Sequence, residues 1–148
     1  MYFVDLKVLH QRLAYMEQLI KFLLETKNKP ETFSDQLAFE RALHVMIEII
    51  LDVGHQMIDG FMMRDPGSFE DVLAILVDEQ VLSSREGESL KGMISYRKSL
   101  VQHYVDVDHH ALWTGLAESK EALQHFPQRI RDYLHNQMGP VHAFKQGD

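Results

Sequence analysis

Leu6, Leu9, Leu13, Met16, Ile20 and Leu23 recur at intervals of three and four residues, with Lys7, Arg12, Glu17 and Lys21 set between them. An α-helix gathers that spacing onto one side, so residues from about Tyr2 to Lys27 form an amphipathic helix whose apolar side must meet other helices. Lys27-Asn28-Lys29-Pro30 ends it. The same period returns beyond. Ser34 suits the N-cap of a second helix from about Asp35 to Met62, in which Leu43, Met46, Ile47, Ile50 and Met57 are core-like. Arg64-Asp65-Pro66-Gly67 breaks the chain, and Ser68 with Asp71 has capping-box spacing before a short helix from about Phe69 to Asp78. That helix carries Val72, Leu73 and Leu76, and Val81 and Leu82 form a plug behind it. Ser83 with Glu86 starts a fourth helix that ends near Tyr104 or Val105. Residues 105–110 alternate like a strand, but a lone strand has no partner, so they read as a turn with Asp108 capping a fifth helix. This last helix, from about His109 to His135, is expected to bury Leu112, Leu116, Leu123, Phe126, Ile130 and Tyr133. Pro127 predicts a kink or a break within it, and Trp113 packs in the core or at an interface.

The expected fold is therefore all-α, an up-and-down antiparallel bundle of about five helices. A single domain covers residues 1–135, and a polar, flexible C-terminal tail covers 136–148, where Gly139-Pro140 leads into loose chain. With no cysteine, disulfides, thiolate catalysis and Cys-ligated zinc are excluded, which fits a reducing, cytoplasmic setting. No signal peptide is evident at Met1-Tyr2-Phe3-Val4-Asp5, and Glu48 and Asp52 interrupt the best candidate for a membrane span. A net charge of −7 argues against binding nucleic acid by bulk electrostatics, but leaves room for a small local basic site.

Two stretches carry more polar chemistry than a bundle core requires. The first is Ser95-Tyr96-Arg97-Lys98-Ser99-Leu100-Val101-Gln102-His103-Tyr104. Arginine can fork onto a phosphate and histidine can move a proton near neutral pH. On a regular helix Arg97 and Tyr104 would point almost the same way, with Gln102 and His103 turned to other sides. The second is Arg41, His44, Glu48, Asp52 and His55, spaced three, four, four and three, which makes one stripe along the second helix. The bland readings are a helix end entering solvent and a solvated face. The functional readings are a catalytic segment facing a charged groove lined by the stripe, with Glu48 or Asp52 orienting the Arg97 guanidinium.

The Arg97 segment resembles the signature of the HEPN superfamily, specifically HepT-like toxins, in which Arg is followed after four to six residues by His, one further residue and Tyr. The likeness extends from Glu40-Arg41-Ala42-Leu43-His44 through Asp52-Val53-Gly54-His55, across Asp65-Pro66-Gly67-Ser68-Phe69, to Tyr104-Val105-Asp106-Val107-Asp108, over roughly residues 3 to 134. One departure stands out. Many members have Asn after the arginine and His two residues before the tyrosine. This chain has Lys98 and Gln102 at those positions, with His103 one place late. Glutamine cannot act as a proton-transferring acid or base.

The resemblance implies a metal-independent ribonuclease toxin that works as a homodimer, with two copies of the Arg/His motif meeting across a cleft where RNA is cut. Arg97 and His103 would be catalytic, with Gln102 at the family's histidine position. Tyr104 would be the residue to which a nucleotidyltransferase antitoxin adds adenylate. No cofactor, metal or membrane is implied. The alternative is a catalytically inactive, dimeric helical binding module on the same scaffold. A third reading is a metal-binding helical bundle using the stripe, since carboxylate and histidine on one helical face can ligate metal.

Overall fold

The structure is a computed structural model that describes the backbone of residues 4–146 and the side chains of residues 4–138. It is all-helical among the described residues: α1 (Leu6–Glu25), α2 (Phe33–Gly60), α3 (Phe69–Asp78), α4 (Ser84–Ile94), α5 (Arg97–Val101) and α6 (His109–Gln146). The helix start expected at Tyr2 lies outside the described residues, and α1 opens on the cap Asp5, whose side chain accepts from the Val8 N–H at 3.1 Å. The apolar stripe of α1 is buried as its spacing requires. It packs on α2 and α6, and α3 and α4 close the bundle around Leu73, Leu76, Leu90 and Met93.

Local chemistry sets the helix ends. Thr32, rather than Ser34, caps α2 by accepting from the Asp35 N–H at 3.1 Å, because the helix begins two residues earlier than its apolar pattern. Ser68 caps α3, but Asp71 does not complete the expected box. Its carboxylate takes the Gly67 N–H at 2.9 Å and the Arg64 guanidinium at 2.8 Å instead. Ser83 and Glu86 form a full reciprocal capping box at α4. Asp108 accepts from the Ala111 N–H at 3.0 Å and caps α6. After α3, Gln80 turns left-handed at φ 62°, and the Val81 N–H reaches back to the Leu76 carbonyl at 2.8 Å. This closure drives Val81 and Leu82 into the core as a plug.

Other expectations change as well. The stretch read as one fourth helix is two, α4 and α5, parted at Ser95-Tyr96. The Tyr96 ring occupies the space above Gly115 of α6, within 2.5 Å of where a Cβ would stand, and this fixes the junction. Pro127 does not break α6: Leu123, Phe126 and Ile130 are all buried around it, so tertiary packing holds the helix through the missing N–H. The helix also continues past His135, because Leu134 and Met138 extend the buried stripe at four-residue steps. Tyr133 is half-buried rather than buried, standing edge-on to Phe61 at 5.1 Å. Trp113 is likewise half-buried, tilted against Phe39 at 5.8 Å.

Glu86 ties α4 to α6 and brings a pH dependence. Burial pushes its carboxyl up, but the Ser83 backbone N–H and the Arg129 guanidinium, 3.0 Å away, outweigh burial and hold it below the ordinary glutamate value. His125 adds a contact at 3.3 Å. A carboxyl depressed in the folded state contributes stability that is complete above its unfolded pKa, about 4.3. That contribution is lost as pH falls from there through the lower folded value. Acid titration of the melting temperature should therefore show a fall over this window that is shallower in Glu86→Gln. Equal slopes in the two proteins would remove Glu86 from the acid response.

Candidate active site

Arg97 is the first residue of α5, placed there by the Tyr96–Gly115 packing one residue before it. Its Nε donates to Glu48 Oε1 of α2 at 2.6 Å. His44 Nε2, one turn back along α2, lies 3.4 Å from the same oxygen. The Arg97 Cζ also sits 4.8 Å from the centroid of the Phe69 ring at the start of α3. The Arg97 and Glu48 side chains are 29% and 31% exposed, so the pair adds little to stability and acts mainly by orienting the guanidinium. Nε is occupied, whereas Nη1 and Nη2 make no hydrogen bond among the described residues. A guanidinium so held can present its outer fork to a phosphate.

The residues after Arg97 do not continue as a helix to Tyr104. α5 stops at Val101, and the Lys98 carbonyl accepts both the Gln102 and His103 N–H groups, at 2.8 and 3.3 Å. The apolar residues that directly follow Leu100 are not drawn into the core: Val101 is 36% exposed and Val105 90%. Without that pull a further helical turn has nothing to pack on. Gln102, His103 and Tyr104 are instead presented on an exposed turn, Tyr104 at 66% exposure. The shared face computed for a regular helix therefore does not apply. A helix ending at Val101 is the geometry that frees His103 to turn away from the bundle.

The stripe on α2 is divided. Glu48 and His44 join Arg97, while Arg41 and Asp52 remain exposed. His55 donates from Nδ1 to the Leu51 carbonyl at 2.8 Å, since a carbonyl can only accept. It lines a groove of about 410 Å³ together with Pro66, Gly67, Ser68, Phe69 and Glu70. A larger hollow of about 730 Å³ at the α1–α2 connection contains none of the motif residues. Among the described residues no three of His, Asp and Glu stand close enough to hold a metal ion, which leaves the metal-binding reading without a ligand set there. No helix among those residues is long and apolar enough to cross a membrane.

Two participants were not read from the sequence. Phe69 looked only like a helix start, and its position at the first turn, just after the Ser68 cap, is what keeps it at the surface beside Arg97. The second is the pair of Glu40 Oε2 with His109 Nε2 at 2.7 Å, which pins the start of α6 to α2 and so anchors the far end of the exposed turn. Glu40 stands four residues before His44, so it continues the stripe's own spacing, and that periodicity is the signal that could have found it.

Comparison with known proteins bears on this geometry. The family model described as "Ribonuclease HepT-like" matches residues 12–130. A Bacillus subtilis (strain 168) protein named "Putative RNase YutE" is 46% identical over 145 residues, covering 98% of this chain and all of that protein. A solved structure described as a cytosolic protein of unknown function, YutE from Bacillus subtilis, superposes with a TM-score of 0.90 at 44% identity, covering 97% of this chain and 100% of that one. A tri-AMPylated Shewanella oneidensis HEPN toxin, solved in complex with its MNT antitoxin, shares the fold with a TM-score of 0.74 at 16% identity. That match covers 84% of this chain and 97% of the toxin.

Proposed function

The chain belongs to the ribonuclease HepT-like family, and on that premise we propose that it is a metal-independent endoribonuclease of the toxin type. The observation that carries this reading is the Arg97 guanidinium, fixed by Glu48 and Phe69 with its outer nitrogens unpaired, next to a turn that presents His103. In the reaction, His103 takes the proton of an RNA 2′-hydroxyl, and the freed oxygen attacks the neighbouring phosphorus. The bond to the 5′-oxygen breaks and that oxygen is protonated, leaving a cyclic 2′,3′-phosphate. Arg97 stabilises the charge that gathers on the phosphate oxygens. The working unit is a homodimer in which Arg97 of one copy meets His103 of the other across a cleft lined by the α2 stripe. The setting is cytoplasmic.

Gln102 at the family's histidine position makes the natural protein a weak enzyme, because the histidine of the motif stands one place late. The same substitution, with Lys98, favours the second reading, a non-catalytic dimeric binding module. The exposed Tyr104 phenol supports a partner as well: a nucleotidyltransferase antitoxin that adds adenylate there would set phosphate beside Arg97 and block the cleft by charge and bulk.

Two measurements test this. Light scattering after size exclusion should give close to twice the 17.2 kDa chain mass, and a clean monomer would reject the two-chain site. Cleavage of a mixed RNA in excess chelator should be slow but measurable. No cleavage by the natural protein or by Gln102→His would leave the binding module.

A further inference from the structure

We propose that the groove between His55 and Phe69 is a nucleobase subsite that seats the base next to the phosphate held by Arg97. This rests on the ribonuclease reading and adds to it how the substrate strand is gripped. Three observations carry it. Phe69 is 46% exposed although its ring already meets the Arg97 guanidinium, so an aromatic surface remains open beside the phosphate-binding group. The groove it lines, about 410 Å³, accommodates a purine ring.

The second observation is the charge of the walls. No lysine or arginine lines the groove, and Glu70 does, so a phosphate is disfavoured there while a neutral base is not. The third is the state of His55. Its Nδ1 donates to the Leu51 carbonyl, which in the neutral ring makes Nε2 an acceptor, and Nε2 has no partner among the described residues. An acceptor beside a stacking surface takes an N–H of a base edge, whether an exocyclic amino group or a ring imide. The subsite is therefore one for a nucleobase in a single strand, held by stacking on Phe69 and one hydrogen bond to His55. Single-stranded RNA is read by stacking on aromatic side chains combined with hydrogen bonds to base edges.

The test separates this from the cleavage reaction by using 2′-O-methyl decamers, which cannot be cut. One decamer is intact, and the others carry a single abasic position moved along the strand. In the natural protein one abasic position should weaken binding by roughly 5- to 100-fold, the worth of one base–aromatic stack. In Phe69→Leu, with an unchanged melting temperature, that position should cost no more than its neighbours. His55→Phe should keep a stacking penalty and lose the hydrogen bond, weakening the intact decamer while leaving the decamer abasic at that position unchanged. An abasic profile that is flat in the natural protein, or identical in Phe69→Leu, would overturn the subsite, as would absence of binding to the decamers. Cleavage of unmodified RNA is read independently, so a protein that binds with this signature but never cuts would fail the ribonuclease reading and keep the subsite.

Discussion

Arg97→Ala and His103→Ala should each lower chelator-resistant RNA cleavage by at least about 10²-fold, the low end for loss of a general acid or base. Gln102→Ala should do much less, because an amide moves no proton. Gln102→His should raise activity above that of the natural protein by restoring a base at the family's position. The exposed setting of the turn matters here: Gln102 and His103 are both at the surface, so the changes at these two positions do not disturb the core. A stronger form of the test uses mixing. If Arg97 of one copy works with His103 of the other, a heterodimer of Arg97→Ala and His103→Ala chains keeps one intact site and loses the second. Combining equal amounts of the two inactive proteins should then return cleavage of about a quarter that of the natural protein, since half of the exchanged dimers are heterodimers and each has one of two sites. Robust cleavage that His103→Ala leaves untouched would refute the assignment. Inactive mixtures of chains shown to exchange would place both residues of each site in one chain.

Phe126→Ala should cost about 3–5 kcal/mol of folding stability, the range for removing a large aromatic side chain from a core. Phe126 is fully buried, in the part of α6 where Pro127 already forfeits a backbone hydrogen bond, so the helix there depends on side-chain packing. Phe33, at 75% exposure, is the control, and Phe33→Ala should change stability by no more than about 0.5 kcal/mol. Urea denaturation followed by circular dichroism measures both. A loss below about 1 kcal/mol in Phe126→Ala would mean that α6 is held across Pro127 by something other than this contact.

The helices were legible in the sequence because burial imposes a period. The α1 stripe and the Ser83–Glu86 box are each decided by residues no more than four apart, and each stands as its spacing requires. What spacing could not supply was where packing outweighs local preference. Pro127 signals a stop by its ring chemistry, yet Phe126 and Ile130 belong to a core that α6 shares with α1 and α4, far away in the chain. Helix 4 looked continuous because Leu90, Met93, Ile94, Leu100 and Val101 share a helical period. The Tyr96 ring seated on Gly115, nineteen residues on, belongs to no local pattern.

The site divides the same way. Glu48 emerged from the stripe as a partner for Arg97, since a carboxylate in a line of polar positions facing a cation is a local pattern plus one contact. Phe69 did not, because an aromatic residue at the first turn of a helix reads as core until the neighbouring helix is in place. The exposed placement of Gln102 and His103 also lay beyond helix periodicity, which assumed a regular helix where the chain forms a turn.

The anchoring of that turn has a consequence for how such a chain changes over generations. Leu100 is buried at one end and His109 is pinned to Glu40 at the other, while the side chains at 102, 103 and 104 contribute no core contact. Replacements at these three positions are close to neutral for folding, so selection on stability does not guard them. A lineage can therefore change these side chains, and with them whatever the turn does, and change them back without passing through an unfolded ancestor.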